Sequence, residues 1–180
     1  MQITKAQNIA AGSIVELITA EIGTNGRLHP GTAIASGGRL AGSFMFRSFN
    51  FQLDSNITPG SAVLSEEANE KGPVLINVLG GMLDNFGISP DQEKMDAASN
   101  EKSDLSFLET LQRLQDKAQA IMKQNGLDQE QMAYCCAMAT AFFIKEFQNY
   151  LPAESGFHTA VYGFIEGCKT CPPAFGTLPG

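Results

Sequence analysis

Apolar residues recur at helical spacing from the start of the chain. Thr4 is a helix N-cap residue type, and Gly23 opens a glycine-rich turn, so the pattern predicts a first helix between them. Its predicted core positions are Ile9, Ile14, Leu17, Ile18 and Ile22. A second helix begins at His29 and Pro30, because proline is well tolerated in a first turn. It is rich in small residues as far as Phe46.

The third predicted helix begins after Ser65 and carries carboxylates in its first turn, where they suit the helix dipole. Pro73 follows Gly72 inside this pattern, and proline removes a helical hydrogen bond. We therefore predict a break or kink after Gly72. A polar, turn-rich segment at 88–103 follows, and we interpret it as an exposed connector.

The clearest helices come next. Ser106 and Glu109 have capping-box spacing ahead of an apolar stripe. Asp128 and Gln131 begin another helix, which is apolar on nearly every side and is therefore predicted at the centre of the fold. A last helix is predicted over residues 155–167. An irregular C-terminal tail at 168–180 is expected to lie across the surface as a strap, with Phe175 as an anchor.

Strand patterns are short and lack partners with hairpin chemistry. The fold class predicted is therefore all-α: a single-domain bundle, spanning residues 1–180, of five to seven helices with a central apolar helix.

Two helices contain glycine pairs, Gly37-Gly38 and Gly80-Gly81, each followed by x-Leu. Glycine inside a helix costs about 1 kcal/mol relative to alanine, so each pair needs a reason. We favour a close crossing of these two helices with each other or with a second copy. A close approach to a ligand is the alternative.

The charge and composition of the chain argue against two classes of binding partner. The net charge is −7 and only 17% of residues are charged. An acidic chain without clustered cations argues against nucleic acid and anionic membranes as partners. The longest apolar run, residues 132–144, is shorter than the roughly 20 residues that span a bilayer. With four cysteines and no signal-peptide pattern, the chain is expected to be cytoplasmic.

Cys168 and Cys171 form a C-x-x-C pair in the tail. A redox pair works best at a helix N-terminus, whereas this pair follows a helix, so we expect no catalytic dithiol. The pair is a weak candidate for half of a zinc site, because His158 is ten positions before Cys168, about 15 Å along a continuous helix. No cofactor is predicted.

Arg39 and Arg47 lie in the small-residue helix, with Ser43 between them at steps of four. Two interpretations stay open. The arginines either pair with carboxylates such as Glu66, Glu67 or Glu70, or bind a small anionic ligand. A second candidate site consists of His158 and Tyr162, one turn apart in the last helix, and the alternative is a hydrogen-bonded core feature.

No nucleophile elbow, phosphate loop or di-iron motif is present in the sequence, so a non-enzymatic role is favoured. The first hypothesis is an interaction or binding module that forms a homo-oligomer, a homodimer joined through the first two helices. The alternative is an enzyme or binding protein for an anionic ligand near Arg39 and Arg47, and the third is a zinc-stabilised module.

Overall fold

The computed structural model describes residues 3–176, apart from the side chains of residues 92, 96 and 97. Within this range the chain is an all-α bundle, as predicted, and has no strand. Its helices are α1 (Lys5–Ile22), α2 (Pro30–Ser48), α3 (Glu66–Asn85), α4 (Gln92–Ala97), α5 (Phe107–Gln124), α6 (Gln129–Phe147) and α7 (Ala153–Cys168). The short α4 lies inside the predicted connector at 88–103, and residues 177–180 of the predicted tail are outside the described residues.

The helix starts follow from local capping chemistry. The Ser106 side chain accepts a hydrogen bond from the backbone of Glu109, and the Glu109 carboxylate accepts one from the backbone of Ser106. The same reciprocal pair joins Asp128 to Gln131 at the start of α6. These capping boxes explain why the sequence located both helix starts to the residue.

The predicted central helix, α6, is confirmed, since every residue from Cys135 to Ala141 is buried. A homodimer surface is predicted on the first two helices, and the α2 half of that prediction is wrong. Every residue of α2 from Gly31 to Phe46 is buried within a single chain, against α6 and α7. A helix of small residues can be enclosed in this way because its neighbours approach closely on several sides.

Glycines on both helices line the crossing of α2 and α7. A Cβ on Gly42 would lie 2.7 Å from the Cα of Gly167, and one on Gly38 would lie 3.2 Å from the Cα of Gly163. Gly37 faces Thr140 of α6 instead. The first glycine pair therefore does mark a close crossing, but with α6 and α7 and not with α3.

Two local predictions are wrong. Of the break or kink predicted after Gly72, the break does not occur, because α3 continues through Pro73. Pro73 lies on the exposed side of α3, where water can satisfy the carbonyl that loses its partner. Ile9 is 51% exposed and is not a core residue. Gln7, Ala10 and Ala11 are buried on α1, which turns Ile9 outward.

The C-terminal segment is joined to the α2–α3 loop by backbone hydrogen bonds. Cys171 donates to the carbonyl of Ser61 (2.9 Å) and accepts from the N–H of Gly60 (2.8 Å). Val63 donates to the carbonyl of Lys169 (2.8 Å). The tail therefore pairs briefly with the segment 60–63, which sequence patterns could not predict because the partners are over 100 residues apart.

No helix among residues 3–176 combines the length and the apolar character that crossing a bilayer demands.

Candidate functional site

Arg39 is held inside the bundle. Its Nε lies 2.6 Å from Oε2 of Glu166 on α7, and one terminal nitrogen donates to the carbonyl of Leu105 at 2.5 Å and to Oγ1 of Thr110 at 3.3 Å. The residue is only 8% exposed. Of the two interpretations, the ion pair is the one observed, although its carboxylate is Glu166 and not one of the three named from the sequence.

Arg47 lies under the C-terminal strap. One of its terminal nitrogens donates to Oε1 of Gln115 (2.7 Å) and to the carbonyl of Pro173 (2.8 Å). Its guanidinium also stacks over the ring of Phe175, 4.1 Å from the centroid. Burial lowers the pKa of Arg47 to about 10. Phe175 is thus the anchor of the strap, and its contact is with this cation and with Phe44.

Ser43 is buried where α2 crosses α7, beside Gly167. Arg39 and Arg47 do face the same element, α5, through Thr110 and Gln115 respectively. Because their donors bind protein acceptors, this side of α2 is used for packing.

The four cysteines are free thiols and all are buried. Burial raises the pKa of Cys168 to about 12, and it also raises that of Cys171 despite the nearby charge of Arg47. A thiol with a raised pKa is a poor nucleophile and metal ligand at neutral pH. In the described part of the chain, no three His, Cys, Asp or Glu side chains are placed to hold a metal ion together.

His158 and Tyr162 line an apolar groove of about 330 Å³ on α7, whose other walls are Ile76 of α3 and Met95 and Asn100 of the segment 88–103. Tyr162 is 55% exposed, so the pair is not the hydrogen-bonded core feature that was the alternative. A second groove of about 190 Å³ adjoins the first, since Ile76 of α3 and Ile165 of α7 line both. Ile165 is 49% exposed.

The outer side of α3 continues this surface. A Cβ added to Gly72, Gly80 or Gly81 would meet no atom within 4 Å among the described residues. No charged residue lies between Lys71 and Asp84. Asn77 and Gly81 line a further concavity of about 360 Å³ on the far side of the helix. This solvent-facing helix therefore carries small and uncharged residues where lysine and glutamate are usual.

We call this combined surface the α3–α7 face. Its residues are Ile76, Asn77, Gly80, Gly81, Val161, Tyr162 and Ile165. Large exposed apolar side chains that adjoin one another are typical of interaction surfaces. The second glycine pair belongs to this surface, so it is not explained by a crossing with α2.

Comparisons with protein families, with curated proteins and with solved structures each found no match to this chain. Its function has to be argued from its own surface chemistry.

The sequence singles out Tyr162 and the glycine pair Gly80-Gly81, but it does not indicate that they belong to one surface. The charge-free interval of α3 was a usable signal, because a surface helix rarely lacks charges over three turns. Ile76 and Ile165 gave no separate signal, since apolar residues at helical spacing predict a core position just as well.

Proposed function

We propose that this protein is a self-associating interaction module and that two copies meet through the α3–α7 face. The observation that carries this is the open glycine pair on the charge-free interval of α3, the helix whose Ile76 lines a groove with the exposed Tyr162 and Ile165. Each helical glycine costs stability in the isolated chain, and a close approach by another backbone is what would offset that cost. A homodimer through this face replaces the one expected through α1 and α2.

Electrostatics supports this choice of surface. Two copies that each carry −7 repel one another, so their contact is favoured where neither contributes a charge. None of the seven residues of the α3–α7 face carries a carboxylate or an ammonium group, and Lys169, which lines the second groove, is a cation that adds no negative charge. A two-fold axis through it would place uncharged groups opposite uncharged groups.

The cytoplasm is the compartment we propose, because four buried free thiols suit a reducing environment. An anionic ligand at Arg39 and Arg47 has less support than self-association, because both guanidinium groups already bind acceptors of the chain. The zinc-stabilised alternative lacks a ligand set in the described residues.

The test is the molar mass in solution, measured by light scattering across a range of concentrations. We expect about twice the 19.3 kDa of one chain at high concentration. The variant Ile165→Lys places a charge in the face and should raise the dissociation constant at least about tenfold.

Ile9→Lys is the matched control, because Ile9 is an equally exposed isoleucine on a helix outside the face. It should leave the dissociation constant unchanged. A mass of one chain up to the highest soluble concentration would refute self-association. An equal loss of the dimer in both variants would refute the assignment to this face.

A further inference from the structure

A tight turn between α1 and α2 fixes the position of Arg27. Thr24 and Arg27 exchange backbone hydrogen bonds of 2.8 and 3.0 Å. Asn25 and Gly26 between them have φ of +51° and +72°, the left-handed pair that a type I′ turn requires. Arg27 therefore projects from a well-defined backbone, although its side chain is exposed.

Two adjoining concavities flank this turn, of about 670 and 560 Å³. Both are lined by the four consecutive residues 27–30. We call the pair the Arg27 cleft. The first concavity has an apolar wall that includes Leu28, Phe147 and Leu151, and the second contains Arg113 of α5. The lining of both concavities combines apolar side chains with charged and polar ones, and volumes of this size are typical of small-molecule sites.

The arginines of the chain divide into two pairs. Of the four in the sequence, Arg39 and Arg47 are held by protein acceptors inside the bundle. The remaining two, Arg27 and Arg113, are both exposed and both line the Arg27 cleft. In the described part of the chain no carboxylate lies within 4.0 Å of either guanidinium. Glu109, one turn before Arg113 on α5, interacts with it electrostatically, and the contact is not an ion pair within 4.0 Å. Among the described residues, an acidic protein thus presents two arginines that form no contact ion pair at one concavity.

The acidic residues that line the cleft, Glu101 and Asp104, lie at the start of α2. Oδ2 of Asp104 accepts from the hydroxyl of Thr32 (3.3 Å), and the backbone N–H of Asp104 donates to the same hydroxyl (3.0 Å). Glu101 packs against Gly31. The Asp104 carboxylate therefore lies beside the helix N-terminus, where negative charge is stabilised, and the Cγ of Glu101 packs at the same end of the helix.

His29 completes the lining and is fixed by its capping role. Its Nδ1 accepts from the backbone N–H of Thr32 at 3.2 Å. Nδ1 also lies 3.0 Å from the Thr32 hydroxyl and 3.8 Å from Oδ2 of Asp104, so this nitrogen faces the start of α2. Nε2 is the ring nitrogen that remains for a ligand, on a residue that lines both concavities.

We propose that the Arg27 cleft binds a small organic anion. The ligand carries a carboxylate or a phosphate monoester on an aromatic or aliphatic body. The anionic group binds Arg27 and Arg113, because guanidinium groups match the geometry of both oxyanions. The apolar body lies against Leu28, Phe147 and Leu151. This site is independent of the α3–α7 face.

The experiment uses proton NMR of the full-length chain with four probes: benzoate, 3-phenylpropanoate, phenyl phosphate and neutral benzamide. The chain has two histidines, His29 in the cleft and His158 in the groove that adjoins the α3–α7 face, so their imidazole signals report separately on the two regions. We expect the anions to shift the His29 signals in a saturable way and to leave those of His158 in place. Benzamide should produce no shift of either.

Arg27→Gln and Arg113→Gln should each raise the dissociation constant of the tightest anion by about tenfold or more. Lys123→Gln is the control, because it removes the same charge from an exposed position of α5 outside the cleft. It should leave binding unchanged. Repeating the titration in Ile165→Lys separates ligand binding from self-association, and the shift should persist in that variant.

Two results would overturn the proposal. One is the absence of any shift at His29 with all three anions up to about 10 mM, a concentration that would reveal even a weak site. The other is undiminished binding in the double variant Arg27→Gln/Arg113→Gln. Binding of phenyl phosphate without the carboxylates, or the reverse, would support the site and identify its oxyanion.

Discussion

The α2–α7 crossing and the outer side of α3 contain the same residue type for opposite reasons. At the crossing, Gly38 and Gly42 lie against the backbone of α7, and no side chain could be accommodated. On α3, Gly80 and Gly81 face space that any small side chain could fill. The first set of glycines is explained by the fold of one chain, and the second is not. Because packing within one chain does not explain the glycines of α3, this side of the helix is a candidate for contact with another chain.

The largest expected effect is at the closed crossing. In Gly42→Ala the new Cβ would lie 2.5 Å from the carbonyl oxygen of Phe164 and 2.8 Å from the backbone nitrogen of Cys168. Backbone atoms cannot move aside as side chains do, so we expect a loss of about 3 kcal/mol in the free energy of unfolding, measured by urea denaturation. A loss below about 0.5 kcal/mol, within the range of ordinary surface substitutions, would show that the helices are not in close contact here.

The ion pair between Arg39 and Glu166 joins the same two helices, and we expect its loss to lower the free energy of unfolding somewhat less than Gly42→Ala does. Arg39→Met keeps the volume of the side chain but leaves Glu166 and the carbonyl of Leu105 without their donor. We expect a loss of about 2 kcal/mol, below the usual cost for a buried pair because the Glu166 side chain is 25% exposed. Arg113→Met is the control on an exposed arginine, and equal losses in both variants would contradict the structural role of Arg39.

The closed crossing also predicts a pH dependence at Cys168, the last residue of α7. Burial raises its pKa to about 12, whereas an unfolded thiol ionises near 8.5. Between these values the unfolded chain loses a proton that the folded chain keeps. Stability should therefore fall as the pH rises, by at most about 1.4 kcal/mol per pH unit for this thiol.

Urea denaturation at several pH values above about 9 measures this slope. Cys168→Ala should have a shallower slope than the unmodified chain, because the other titrating groups are common to both. Parallel slopes would show that Cys168 is not shielded from water in the folded state.

The smallest effect is expected on the open side of α3, and its sign is reversed. Gly81→Ala should stabilise the single chain by about 0.5–1 kcal/mol, because the methyl group meets no atom within 4 Å and the unfolded chain loses entropy. Gly12→Ala on α1 is the matched control, with an equally open and exposed glycine.

The two glycine variants should differ only in self-association. At high concentration Gly81→Ala should weaken the dimer, whereas Gly12→Ala should not, as measured by light scattering. If Gly81→Ala leaves the dissociation constant of the dimer unchanged, the glycine pair is not part of the contact between the two copies.

The candidate sites were predicted less well than the fold. The sequence indicates that Arg39 needs an anionic partner, because it lies in a nearly uncharged helix. It does not indicate which carboxylate, because Glu166 is 127 positions away along the chain. The sequence gives no signal that Arg27 and Arg113 belong to a site. Arg27 follows a turn and Arg113 lies on an amphipathic helix, and charged residues are ordinary in both places. Only tertiary structure places the two side chains at one concavity.

The sequence by itself determined the six long helices, the capped starts of five of them and the identity of the central apolar helix, because capping and periodicity are local properties. It missed the short α4 and placed the start of α7, which has no side-chain cap, two residues late. It predicted a break or kink at Pro73, and the break does not occur, because whether proline is tolerated inside a helix depends on which side of the helix faces water. The tertiary structure decided which glycines are enclosed and which are open, and which arginines are paired. Those outcomes depend on contacts between distant parts of the chain, which have no local pattern.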